Sequence, residues 1–102
     1  MRFDASTSRV QVYLRPDFQI EDWTEIEQIS HQQLNNGCIH WSVFLTELHL
    51  LTSRLLGLLI GLNAILDIRG GSLELVTRTG AAVERVLQQA NLARIVTIRS
   101  VE

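Results

Sequence analysis

Residues 9–15 read RVQVYLR. Val10, Val12 and Leu14 alternate with Gln11, Tyr13 and Arg15, a period of two that predicts a half-buried strand. Pro16, Asp17 and Phe18 then turn the chain. Between residues 20 and 34 the period changes. Ile20, Trp23, Ile26, Ile29 and Leu34 recur at helical spacing, with Glu21, Asp22, Glu25, Glu27 and Gln28 between them. The pattern predicts an amphipathic helix with acids near its N-terminus, where the helix dipole favours them. Asn35, Asn36 and Gly37 accept left-handed backbone and end it. Residues 38–45, CIHWSVFL, return to alternation, with Ile39, Trp41, Val43 and Leu45 on one face and His40, Ser42 and Phe44 on the other.

The stretch TELHLL connects this strand to the most apolar part of the chain. A helix is predicted to start at Thr52 or Ser53, both good N-caps, and to end at Arg69-Gly70-Gly71. Its apolar residues nearly encircle it, which predicts a central, heavily buried helix. Residues 72–76 alternate as a third strand. Residues 79–91 read as a short helix capped by Thr79, with Ala82, Val83, Val86, Leu87 and Ala90 on one side. Residues 94–98, RIVTI, are a final strand, and a weak strand near residues 2–4 precedes the rest. The order is β-β-α-β-α-β-α-β. Such alternation predicts an α/β fold with a mixed, largely parallel sheet of four to five strands and helices mainly on one face. With 102 residues and no repeat or linker, residues 1–102 are expected to form a single domain.

Composition narrows the function. Apolar residues make up 46% of the chain, which makes it globular. A net charge of −2 gives no electrostatic ground for binding nucleic acid. All nine basic residues are Arg, so a lysine Schiff base or lysine phosphate loop is excluded. Cys38 has no second cysteine to pair with, which fits a reducing cytoplasm. The opening MRFDASTSRV lacks the apolar core of a signal peptide. Residues 48–66 are interrupted by His49, Thr52, Ser53, Arg54 and Asn63, whereas a spanning helix needs roughly 20 apolar residues. No membrane insertion is expected.

Catalytic constellations are missing. Gly70-Gly71 precede a strand rather than a helix, so no phosphate-binding loop is present. His31, His40 and His49 lie nine residues apart, which is not ligand spacing within one helix. Cys38 reads as a small apolar residue, and the acids of the first helix as its polar face. The expectation is a non-enzymatic chain without metal or cofactor. What remains is Thr52-Ser53-Arg54 at the mouth of the apolar helix. The first backbone N–H groups there are unpaired and carry partial positive charge. A phosphate on Ser53 would be stabilised, and Arg54 could pair with it. A plain cap, contributing about 1 kcal/mol, explains the same residue.

Five stretches carry a resemblance. LRPDFQ (14–19) stands where one family ends a strand in Gly-Glu-Leu-Asp, and VFLTEL (43–48) where that family has an Asp-Leu-Ser-like strand end. LLTSRLLG (50–57) corresponds to its signature Asp-Ser-Ser-Gly-Leu-Gly at a helix start. IRGGSLELV (68–76) and ANLARIVTI (90–98) match its last two strands and their approaches. From about Arg9 onward the chain thus resembles a STAS domain, the fold of bacterial anti-sigma factor antagonists that also occurs on sulfate transporters. Ser53 takes the position that accepts phosphate from the anti-sigma factor, which is a kinase, and Gly57 that of the second signature glycine. Thr52 stands in place of the signature Asp, Arg54 of the second Ser, Leu55 of the first Gly, Gln19 of an earlier strand-end Asp, and Phe44 of the acid at the second strand end. The resemblance implies a regulatory binding module in a partner-switching pathway. It docks an anti-sigma factor or serine kinase through Asp17, Phe18, Gln19, Thr52, Ser53, Arg54, Leu55 and Leu56, with no cofactor of its own. The alternative is an unphosphorylated adapter on a lipid-transport ATPase or signalling complex, in which Thr52 is a contact residue. A homodimer is left open.

Overall fold

Strand alternation and helical spacing become five strands and three helices in the computed structural model, which describes residues 2–4, 9–35 and 37–102. They are β1 (Arg2–Asp4), β2 (Arg9–Tyr13), α1 (Trp23–Asn35), β3 (His40–Phe44), α2 (Ser53–Ile68), β4 (Ser72–Arg78), α3 (Ala82–Gln89) and β5 (Thr97–Val101). Short 3-10 turns at Ile20–Asp22 and Leu92–Arg94 precede α1 and β5. The strands lie side by side in chain order. β1 is antiparallel to β2, and the other three pairings are parallel. This is the expected mixed, largely parallel sheet.

Three crossovers each advance by one strand in the same direction. Right-handed connections therefore lay α1, α2 and α3 on one face of the sheet. The register aligns Val12, Val43, Leu75 and Ile98 across four strands on that face. Val10, Leu14, Trp41, Leu45 and Leu73 join them in the core. The helices contribute Trp23, Ile26 and Leu34 from α1, Leu55, Leu59, Leu62 and Leu66 from α2, and Val83 and Leu87 from α3.

Among the described residues no helix covers the opposite face. Tyr13 and Phe44 stack there with ring centroids 4.3 Å apart. A polar chain ties four strands together beside them. The Arg9 guanidinium donates to Ser42 Oγ at 3.0 Å, Ser42 donates to Glu74 Oε2 at 2.8 Å, and Arg99 Nε sits 2.7 Å from Glu74 Oε1. Partial burial raises the Glu74 pKa, but the Ser42 hydroxyl and the two arginines outweigh it and hold the carboxyl below its usual range.

Several boundaries differ from the sequence reading. β5 starts at Thr97, not residue 94. Asn91 adopts left-handed backbone with φ 56° and starts a turn instead. Leu92 and Val96 are the buried anchors of that segment, and Ile95 points outward. α3 starts at Ala82 with Ala81, not Thr79, at the cap. Gly80 bends the chain at φ +80°, and Glu84 reaches back to accept its N–H at 3.1 Å. Asn36, expected in the end of α1, and the Ile20 side chain lie outside the described residues.

The largest correction concerns α2. Expected to be buried all round, it buries only Leu55, Leu59, Leu62 and Leu66. Ile60, Ile65 and Ile68 are 39, 45 and 84% exposed. The helix layer is one thickness deep, so no element among the described residues covers its outer side.

Two kinds of glycine follow. A Cβ at Gly71 would lie 1.9 Å from the Ile39 carbonyl oxygen, because Ser72 N–H bonds that same oxygen at 3.0 Å. A Cβ at Gly57 or Gly61 would meet nothing within 4 Å. Each of these two costs the helix about 0.5–1 kcal/mol relative to alanine. Gly71→Ala is therefore predicted to destabilise by about 1–3 kcal/mol through overpacking. In dilute solution Gly61→Ala is predicted to stabilise by about 0.5–1 kcal/mol. Urea denaturation of the two variants checks the opposite signs.

Candidate functional site

The chain leaves β3 into the buried Leu45, whose N–H bonds the Val76 carbonyl at 2.8 Å. Leu48 N–H closes a turn on the Leu45 carbonyl at 3.1 Å. His49 and Leu50 then run exposed, Leu50 at 68%, until buried Leu51 anchors the entry to α2. Thr52 is the cap. Its backbone is extended, and its Oγ1 accepts the Leu55 N–H at 3.2 Å. Its carbonyl accepts the Leu56 N–H at 2.9 Å, the first helical bond.

That geometry divides the work of the Thr52-Ser53 pair. Thr52 satisfies the helix end, a task Asp performs equally well at an N-cap. Ser53 is the first helical residue, is exposed, and its hydroxyl makes no hydrogen bond among the described residues. The fold does not use it.

The turn before α1 faces this entry. Phe18 N–H bonds the Arg15 carbonyl at 3.0 Å, and Gln19 N–H bonds Asp22 Oδ2 at 3.0 Å. Phe18 is half-buried against the core. Pro16, Phe18, Gln19 and Glu21 on one side, and Leu48, His49, Leu50, Thr52 and Leu55 on the other, line a cleft of about 360 Å³. Phe18, Gln19, Thr52 and Leu55 therefore meet, although they are far apart in sequence. Ser53 and Arg54, both exposed, follow Thr52 directly. Asp17 lines a neighbouring cleft of about 690 Å³ at the strand ends, with Tyr13, Arg15, Thr46, Glu47 and Arg78. Leu55, expected as an exposed contact, is only 4% exposed; it is a core residue that forms the cleft floor. Leu56 is half-buried.

Sequence reasoning missed Leu48, His49 and Leu50 as part of the site. The available signal was the number of leucines, three in the six residues of TELHLL, more than a short connection needs as anchors. His49 and Glu21 both line the cleft, yet no hydrogen bond or ion pair joins them. His40 bonds Ser72 Oγ at 2.8 Å at the far end of the strands. Among the described residues no three of His, Cys, Asp and Glu gather to hold a metal, and no helix is long and apolar enough to cross a membrane. The arrangement offers an apolar seat beside an unengaged hydroxyl.

No protein-family model matches the chain, and no curated protein does. Solved structures do. The NMR structure of the protein TM1081 superposes with a TM-score of 0.80 at 25% identity, over 96% of this chain and 78% of that one. A crystal structure of TM1081 from Thermotoga maritima, described as a candidate anti-sigma factor antagonist, gives 0.81 at 24% identity, over 98% and 86%. The fold is therefore the STAS fold of anti-sigma factor antagonists.

Separate duties for the two hydroxyls have a measurable consequence. Thr52→Ala is predicted to lower stability by about 1 kcal/mol. Ser53→Ala is predicted to stay within about 0.5 kcal/mol of wild type, as for other exposed positions. Urea unfolding of both variants separates them.

Proposed function

We propose that the chain is a regulatory binding module that docks an anti-sigma factor or related serine kinase at the mouth of α2. The observation that carries this reading is the exposed Ser53 hydroxyl beside the Phe18–Leu48–Leu50 cleft, on a fold shared with a candidate antagonist. The docking surface comprises Asp17, Phe18, Gln19, Thr52, Ser53, Arg54 and Leu56, with Leu55 beneath. Leu50 and His49 extend it.

Phosphorylation of Ser53 is the switch. The kinase brings ATP and magnesium; the γ-phosphoryl group passes to Ser53 Oγ, the hydroxyl proton leaves and ADP is released. The new charge of about −2 sits at the N-terminus of α2, where unpaired N–H groups and Arg54 favour it. The same charge beside Leu50 and Leu56 opposes an apolar contact with a partner and ends the complex. The second reading, an adapter held on a transporter ATPase, draws on the exposed leucine and isoleucines, which offer contact area without any phosphate.

Incubation with the cognate kinase and ATP, followed by intact-mass measurement, tests the switch. Wild type is expected to gain the mass of one phosphate and to lose its kinase in a pull-down, while Ser53→Ala gains none and stays bound. Stable binding with no mass gain on wild type would discard the switch and keep the module. Recovery of a transporter ATPase instead of a kinase would favour the adapter.

A further inference from the structure

The outer side of α2 carries a pattern the docking site does not use. Opposite the buried Leu55, Leu59, Leu62 and Leu66, the helix presents Ile60 and Ile68 to solvent, and on the flank toward α1 the part-exposed Ile65 shares a groove of about 340 Å³ with Gly57, Gly61 and, from α1, Glu27 and His31. Ile95, 58% exposed, lies beside Asn63 on the other flank of the helix, its carbonyl accepting from Asn63 Nδ2 at 3.4 Å. Exposed large apolar residues gathered on one helix mark an interaction site. Only two charged residues lie on this helix, both exposed: Arg54 in the first turn and Asp67 in the last. Neither makes an ion pair among the described residues.

We infer that this face binds a second copy of the chain, with the two α2 helices packed antiparallel. The charges decide the direction. A two-fold axis passing between Ile60 and Gly61 brings Arg54 against the partner's Asp67 at one end and repeats the pair at the other. Parallel packing would set Arg54 on Arg54 and Asp67 on Asp67, and like charges across an interface are repulsive. The apolar residues fit the same axis. Gly57 faces the partner's Ala64, and Ile60 the partner's Gly61, so the bulky isoleucine meets the position with no side chain. The empty space around Gly57 and Gly61 in the single chain is filled by the other helix.

The interface is small, one helix of 16 residues on another. The dimer is therefore a reversible one that forms at high concentration. It also places Ser53 against the partner's Ile68, so dimer and kinase compete for the α2 mouth. That competition rests on the proposed docking reading; the dimer itself does not.

Sedimentation of the purified protein from about 10 µM to about 1 mM, the range for a small reversible interface, tests the dimer without any kinase. The mass is expected to rise from monomer to dimer. Arg54→Asp and Asp67→Arg each set two like-charge pairs at the interface and are expected to weaken association about tenfold or more. The double variant, Arg54→Asp with Asp67→Arg, is expected to restore it. Thermal melts of all variants below 10 µM, where the chain is monomeric, separate loss of association from loss of fold. A chain that stays monomeric throughout, or a dimer indifferent to both single reversals, overturns the inference. So does a double variant no tighter than the singles. Flotation of wild type with phosphatidylcholine vesicles, abolished by Ile60→Asp, would assign the face to a lipid surface instead. These outcomes leave the phosphorylation test unaffected.

Discussion

Every crossover in this chain steps the same way across the sheet, and that constraint governs the rest. It gathers three helices on one face and leaves a single helical layer. Hydrophobic burial then acts on α2 from below only. Leu55, Leu59, Leu62 and Leu66 bind the helix to Val43, Leu75 and their neighbours in the core. Among the described residues no element packs on it from above. The exposed outer side and the exposed first turn are consequences of that one-sided packing. So is the cleft, because the turn before α1 and the loop before α2 emerge at the same end of adjacent parallel strands.

Much of this was legible in the residues. Val10, Val12 and Leu14 alternate cleanly because one face of β2 meets the core and the other does not. Trp23, Ile26 and Leu34 keep helical spacing for the same reason in α1. α2 departs from the pattern's expectation because its outer side is also apolar. A period is visible only where buried and exposed positions differ in chemistry, and Ile60 and Leu59 do not. β5 was placed three residues early for a related cause. Arg94 to Ile98 alternates on paper, but Asn91 in left-handed backbone spends the first of those residues on a turn.

The site shows the same division. Thr52-Ser53 marked a helix start, yet sequence could not say which hydroxyl caps it. The extended backbone at Thr52 and its bond to Leu55 N–H answer that. The resemblance counts Leu55 among the contact residues at the helix mouth. One helical step turns it inward by about 100° for each residue, and it lands in the core. Leu48 and Leu50 belong to the cleft through a turn that closes on Leu45, a contact no linear pattern announces.

All of this rests on α2 being held from one side. Single cysteines placed by turns at Ser53, Ile60, Leu59 and Leu66 in a Cys38→Ser background, in dilute native protein, would measure that directly through their rates of reaction with a thiol reagent. The account predicts labelling at positions 53 and 60 as fast as in the denatured chain, and labelling at positions 59 and 66 only as fast as global unfolding permits. Protection of positions 53 and 60 equal to that of 59 and 66 would contradict it.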